Sequence, residues 1–253
     1  MSARRERADV LLVERALAPT RARAQALIMA GRVFSGEVRI DKSGSLVARE
    51  AALTVRGDDN PYVSRGGLKL QGALDAFVAN GLDPNGKVAL DVGASTGGFT
   101  DCLLMRGATR VYAVDVGWGQ LHEKLRVDPR VVVRERENAR ELERASFPEA
   151  IDLVVVDASF IGIGSLIPAI ARVLGPGGEL CAMVKPQFEV GREEARRTKG
   201  VIKDEGVRNA AIGSATASIE AAGFDVLGSI DSTLPGPKGN VERFVYARRR
   251  AST

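Results

Sequence analysis

The stretch that carries most chemical information is Leu90-Asp-Val-Gly-Ala-Ser-Thr-Gly-Gly-Phe-Thr100. Small residues in such a loop let the backbone approach a ligand closely, and Asp91 can fix the loop through its amides. It is not a dinucleotide fingerprint, because Ser95 stands where the second glycine would be. It also lacks the Gly-Lys-Ser/Thr that a phosphate-binding P-loop needs. Twenty-two residues after Gly93, the run Val111-Tyr-Ala-Val-Asp115 ends in a carboxylate. An acid there can accept hydrogen bonds from both hydroxyls of a ribose; the alternative is a strand-end cap. Asn138, in Glu137-Asn-Ala-Arg140, could read an adenine edge. A ribose-binding acid without phosphate-binding features points to a nucleoside cofactor lacking pyrophosphate. S-adenosylmethionine, whose methyl donor is cationic, fits. The expected cofactor contacts are Asp91, Gly93, Ser95, Thr96, Gly97, Phe99, Asp115, Asn138 and Asp157, with Trp118 beside them.

Other chemistries have little material. The 253 residues hold one histidine, His122, so a Ser-His-Asp hydrolase has one possible base and a zinc site almost no imidazole. His122 itself reads as a surface or packing residue. Cys102 and Cys181 form no C-x-x-C pair, and no metal site is expected. The amino-terminal residues are charged and lack the apolar stretch of a signal peptide. The longest uncharged run, residues 158–171, has 14 residues with two Gly and one Pro, short of the roughly 20 that span a bilayer. A cytoplasmic protein is expected.

The elements that must position these residues alternate from Lys87 onward between strand-like and helical stretches, which predicts a parallel-sheet α/β domain. Strands are expected at 88–91, 110–115, 131–133, 152–157, 180–185, 225–230 and 243–248. Only 231–242 separates the last two, too short for a helical crossover, so they should pair antiparallel. Seven strands with the last reversed describe a Rossmann-like methyltransferase sheet. The run 191–206, charged and bounded by glycines, is expected to be a mobile lid or an RNA-contacting segment.

Charge is unevenly placed. Residues 1–57 carry 11 Arg/Lys and six Asp/Glu, or +5, whereas the whole chain is +4. Clustered cations favour phosphate binding through counterion release; an arginine-rich solvated surface is the alternative. A helix is expected over 9–17 with Val10, Val13 and Leu17 inward. A second is expected over 21–30, capped by Thr20, with Ala24, Leu27 and Ile28 inward and Gly31 as terminator. Short strands follow. Two such helices and a small sheet, with "TRARAQALIMAGRV", resemble the S4-type RNA-binding fold. Arg5, Arg7, Arg21, Arg23 and Lys42 are the expected RNA contacts. The expected division is an S4 domain over 1–59, a linker over 60–63 and a methyltransferase domain over 64–253.

Six motifs occur in order: SRGGLKL (64–70), DVGASTGGFTD (91–101), DVGWGQL (115–121), DASFI (157–161), VKPQFEVG (184–191) and LPGPKGNVERF (234–244). Together they resemble the haemolysin-A-like (TlyA) family, an S4 domain fused to an FtsJ-type ribosomal RNA 2′-O-methyltransferase. The resemblance runs from about residue 7 to 248. It implies a tetrad of Lys69, Asp157, Lys185 and Glu242 acting on cytidine in ribosomal RNA, with S-adenosylmethionine as cofactor, in a monomer. The little chain after Arg250 leans toward a large-subunit substrate. Lys185 is then the candidate proton acceptor, its pKa lowered by Lys69, with Asp157 and Glu242 orienting the amines. Alternatively both lysines stay charged and stabilise the developing oxyanion. Two other functions are open: a pore-forming haemolysin, as the family's historical name suggests, and a non-catalytic RNA-binding assembly factor. No spanning or strongly amphipathic segment supports the first, and the complete loop and tetrad argue against the second.

Overall fold

The structure is a computed structural model and describes residues 4–251 except 30, 57–59, 199 and 237. The chain divides into two compact units, Met1–Asp59 and Asn60–Thr253.

Unit 1 runs β1 (Arg5–Arg7), α1 (Ala8–Glu14), α2 (Arg21–Met29), β2 (Val33–Ser35), β3 (Val38–Arg39), β4 (Leu46–Ala48) and β5 (Leu53–Val55). β1 pairs with β4, and β2 lies between β3 and β5, all antiparallel. The buried face of α1 is Ala8, Leu11 and Leu12, not Val10, Val13 and Leu17. The helix ends at Glu14 and the chain turns through Ala16 at φ 56°, so Leu17 leaves the helical register. The second helix follows expectation: Thr20 Oγ1 accepts from Arg23 N at 3.2 Å, and Ala24, Leu27 and Ile28 are buried. Residue 30 and the junction at 57–59 lie outside the described residues.

Unit 2 contains α3 (Arg65–Phe77), β6 (Val88–Val92), α4 (Gly98–Met105), β7 (Arg110–Asp115), α5 (Glu123–Arg126), β8 (Val131–Glu135), β9 (Ile151–Val156), α6 (Ile167–Val173), β10 (Leu174–Val184), α7 (Pro186–Glu189), α8 (Arg192–Arg197), α9 (Glu205–Ala221), β11 (Phe224–Asp231) and β12 (Arg243–Arg249). Its described strands form one seven-stranded sheet, ordered β11-β12-β10-β9-β6-β7-β8, in which β12 alone runs against its neighbours. Successive side chains along a strand alternate faces, and a sheet covered on both sides is apolar on both. Leu90, Val154, Val156 and Ala182 therefore join Ile167, Ile170 and Ile219 from α6 and α9 in one core layer. Ala89, Val155, Cys181 and Tyr246 join Leu70, Leu74 and Leu103 from α3 and α4 in the other. Tyr62 is buried in this second layer.

The segment after β10, expected to be a mobile lid or an RNA-contacting segment, is partly ordered by local structure. It forms the short helix α8, and Ile202 beyond it is buried. Asn240, itself buried, accepts from Ile202 N at 2.9 Å and donates to Gly200 O at 2.8 Å. This clamp ties residues 200–202 to the turn before β12.

Candidate active site

Parallel strands ending at one edge bring the candidate residues together. Gly93 N bonds Val114 O and Asp157 N bonds Val92 O, both at 2.9 Å, so the ends of β6, β7 and β9 lie side by side. Gly93 has φ +86°, and a Cβ there would stand 2.9 Å from Ala158 Cα. Only glycine permits this approach of the loop to the turn after β9. On the other side Val184 is opposite Arg243 in the antiparallel β10–β12 register, so Lys185 and Glu242 follow each other across the same edge. Lys69 comes from the inner face of α3. That helix reaches α4 closely because residue 98 is glycine: a Cβ there would lie 2.8 Å from Gly67 N.

The structure brings the four tetrad side chains together as two ion pairs. Lys185 Nζ is 2.6 Å from Asp157 Oδ1, and Lys69 Nζ bonds Glu242 Oε2. The Lys69 and Glu242 side chains are only 9% and 3% exposed, so neither charge is left to solvent. Lys185 Nζ also donates to Asp157 O at 3.2 Å and to Ser159 Oγ at 3.0 Å. Burial raises the Asp157 pKa; the Lys185 and Lys69 ammonium groups oppose that rise, and the Glu242 carboxylate adds to it.

A cavity of about 460 Å³ opens beside these pairs, lined by Gly93, Ser95, Asp115, Asn138, Asp157 and Ser159 among others. That size suits a cofactor. Asp115 Oδ2 accepts from Ser95 N at 2.9 Å and Oδ1 from Gly117 N at 2.7 Å. It therefore caps its strand end, yet each oxygen keeps further acceptor capacity in a residue that lines the cavity. Asn138 Oδ1 accepts from Arg140 N at 3.2 Å, and its Nδ2 donates to Glu141 Oε1 at 2.9 Å. Thr96 and Phe99 line a smaller adjoining cavity of about 120 Å³ with Ser64 and Gly66. Phe99 is also a core residue, its ring 6.0 Å from that of Phe244. Gly97 is the left-handed residue before α4, at φ 97°.

Asp91 behaves differently from its expected part. Its Oδ2 accepts from Thr100 Oγ1 at 2.6 Å, which secures α4, while Oδ1 is buried with no hydrogen-bond partner. Burial pushes its pKa up to about 7, partly offset by the Thr100 hydroxyl. Free acceptor capacity on Asp115 and a glycine cradle at 93 fit a cofactor carrying hydroxyl groups, and Asp91, fully buried and lining neither cavity, lies under the loop with one acceptor unpartnered.

The rim is aromatic and basic. Phe160 is 92% exposed at φ 66°, a conformation rare for a bulky residue, and its ring lies 5.4 Å from that of Phe188. Trp118 is exposed beneath the Arg136 guanidinium, 4.9 Å from the ring centroid. His122 is exposed, and its Nδ1 accepts from Lys124 N to cap α5. Among the described residues no group of three His, Cys, Asp or Glu could hold a metal ion.

In unit 1 the expected RNA contacts divide. Arg7 grips both oxygens of buried Asp9, through Nε at 2.9 Å and Nη2 at 3.0 Å, and Arg21 Nε and Gln25 Nε2 each add a bond to Oδ2 at 3.0 Å. Arg5 and Lys42 are exposed, and Arg23 is half-buried. Sequence reasoning missed Asp9, Thr100, Ser159 and Asn240; each is a single polar residue in an apolar or charged run, and only its contacts distinguish it.

Residues 62–250 match the FtsJ-like methyltransferase family model. The 16S/23S rRNA (cytidine-2′-O)-methyltransferase TlyA of Mycobacterium tuberculosis is 44% identical over 97% of this chain and 91% of its own. Hemolysin A of Brachyspira hyodysenteriae is 39% identical over 90% and 93%. The solved structure of a hemolysin-designated protein from Streptococcus thermophilus superposes with a TM-score of 0.75 at 39% identity, covering 99% of this chain and 90% of that one. With three-quarters of its length on the family model and its strand-end site intact, the chain belongs to the FtsJ-like methyltransferase family.

Proposed function

We propose that the protein methylates the ribose 2′-hydroxyl of cytidine in ribosomal RNA, that of the large subunit first, with small-subunit RNA as a second candidate. The observation that carries this is the meeting of two Lys–carboxylate pairs, one buried and one partly open to the cavity, at the edge of a nucleoside-sized space. S-adenosylmethionine, when bound, supplies a methyl group activated on a sulfonium. Asp115 would hold ribose hydroxyls, Asn138 an adenine edge and Asp91 a cationic group, with Gly93, Ser95, Thr96, Gly97 and Phe99 shaping the floor.

A ribose hydroxyl is a weak nucleophile and must lose its proton as its oxygen takes the methyl group. Lys185 Nζ is the terminal acceptor, and Asp157 stabilises the ammonium that results. Glu242 and Lys69 brace the wall beside it, which holds the reacting groups in place. The exposed Phe160 ring, with Phe188 tilted against it, offers an apolar face on which an unpaired base can stack. Unit 1 is read as an S4 domain over 1–59, in which exposed Arg5 and Lys42 and half-buried Arg23 bind RNA phosphates. Arg7 and Arg21 serve mainly to hold Asp9 and present their remaining donors. Residues 60–63 join it to the catalytic domain, and the protein works as a monomer in the cytoplasm beside ribosomes.

Some relatives carry a hemolysin name. Among the described residues no helix is long and apolar enough to cross a membrane, whereas the site has a complete chemical rationale. Methyl incorporation into naked ribosomal RNA and isolated subunits, followed by mapping of the 2′-O-methyl nucleotide, tests the reading. Incorporation at a cytidine ribose, lost in Lys185→Ala with cofactor affinity nearly kept, is expected. Base methylation, or full activity in Lys185→Ala, would overturn it.

A further inference from the structure

Lys185 stands behind the cavity, not on its surface. Asp157, Ala158, Ser159 and Phe160 line the space, but Lys185 does not, and its side chain is only 9% exposed. Its Nζ has three polar neighbours: Asp157 Oδ1 at 2.6 Å, Asp157 O at 3.2 Å and Ser159 Oγ at 3.0 Å. An ammonium has three N–H donors, and these neighbours take all three. No direction on Nζ is left open for a substrate hydroxyl.

The three neighbours are not equivalent. A carboxylate and a carbonyl only accept, whereas a hydroxyl both accepts and donates. When Lys185 is the neutral amine, its lone pair needs a donor, and Ser159 is the one contact among the three with a proton to give. Ser159 is also exposed to the cavity. Asp157, Lys69 and Glu242 are the charged groups around this contact, and none of the three supplies a hydroxyl. The Phe188 ring, 6.0 Å from Nζ, covers another side.

We infer that Ser159 is a catalytic proton relay between the substrate 2′-hydroxyl and Lys185. The 2′ O–H bond breaks as the O–CH₃ bond forms and the sulfonium S–CH₃ bond breaks. The released proton goes to Ser159 Oγ, and Ser159's own proton passes to Lys185 Nζ, leaving an ammonium bound to Asp157. Two protons move, no oxidant or further reactant is needed, and the serine is restored when its hydroxyl rotates. The inference rests on Lys185 being the terminal acceptor in the function proposed above.

The experiment measures single-turnover methyl transfer at saturating S-adenosylmethionine, in mixtures of H₂O and D₂O, for wild type, Ser159→Ala, Ser159→Thr and Lys185→Ala. Cofactor affinity is measured for each by calorimetry. The wild type should show a solvent isotope effect that curves with deuterium fraction, as two moving protons require. Ser159→Ala should lose about 10- to 100-fold in rate, since water replaces the serine imperfectly, with a cofactor dissociation constant within about twofold. Ser159→Thr should restore most of the rate and the curvature. A Ser159→Ala enzyme with wild-type rate and inventory, beside an inactive Lys185→Ala, would overturn the relay alone. An active Lys185→Ala would overturn the underlying reading as well.

Discussion

Replacing Asp91 by asparagine interrogates the orphaned carboxyl beneath the cofactor loop. Asp91 is fully buried, one oxygen held by Thr100 and the other unpartnered, and its pKa rises from 3.8 to about 7. The unfolded chain releases this proton near pH 4 and the folded one near pH 7. Between those values the folded state binds more protons, so stability falls as pH rises. At about 1.4 kcal/mol per pKa unit the whole effect is about 4 kcal/mol, complete slightly above neutrality. Asparagine has no proton to lose and keeps an oxygen for the Thr100 hydroxyl. Urea unfolding from pH 5 to pH 8 should therefore show Asp91→Asn gaining about 3 kcal/mol on the wild type across that range. Identical pH slopes would refute the raised pKa. If a cationic group of S-adenosylmethionine neutralises Asp91, saturating cofactor should flatten the wild-type slope, and the variant should bind the cofactor at least about tenfold more weakly.

Lys69→Met should lower stability by about 3–5 kcal/mol, because it strands the Glu242 carboxylate at 3% exposure, and adding Glu242→Leu should recover most of that loss while the enzyme stays inactive. Thermal unfolding paired with methyl incorporation checks both halves. Gly93→Ala forces a side chain to φ +86° and to 2.9 Å from Ala158 Cα; the expected result in calorimetry is loss of cofactor binding, with about 1–3 kcal/mol less stability. In unit 1, hydrogen bonds from Arg7, then from Gln25 and Arg21, hold the Asp9 carboxyl well below the usual carboxylate range. That stabilisation is present above about pH 4 and lost as pH falls through the folded value. Asp9→Asn should weaken amide-exchange protection over residues 8–29 at neutral pH by about 1–3 kcal/mol, and a protection pattern equal to wild type would count against it.

The catalytic sheet was legible because its strands are buried on both faces and read as apolar runs. The antiparallel β12 was legible because residues 231–242 are too few for a crossover. β10 was read six residues short, since Gly175-Pro-Gly-Gly178 looks like a turn although Leu174 already pairs with Ile151 before the register shifts. In unit 1, β1 is Arg-Glu-Arg and carries no apolar signal; its pairing with Leu46–Ala48 comes from tertiary contact alone. The α1 face was misread because three apolar positions at helical spacing included one, Leu17, that lies beyond the helix end. At the site, all four tetrad residues came from motif resemblance; the strand ends then place Asp157, Lys185 and Glu242 at one edge, whereas nothing in the strand pattern places Lys69. No spacing links positions 69 and 242, and no spacing says which lysine takes which carboxylate.

That pairing decides the electrostatics. Methyl transfer to a neutral hydroxyl converts a sulfonium into a neutral thioether and releases a proton, so positive charge leaves the donor and must settle on the protein. With Lys185 neutral before the transfer, Lys69 and the two carboxylates leave the site one net negative charge, which favours a cationic donor, and the arriving proton brings that charge to zero. Burial makes each unpaired charge costly, which is why Lys69 and Glu242 neutralise each other within the wall. Asp157 is placed otherwise: it contacts Lys185 and lines the cavity, with a side chain 26% exposed against 3% for Glu242. On the proposed mechanism, the carboxylate that compensates the arriving proton would therefore be the one that faces the cavity. The Lys69–Glu242 pair, set back in the wall, would then position its neighbour without sharing that charge.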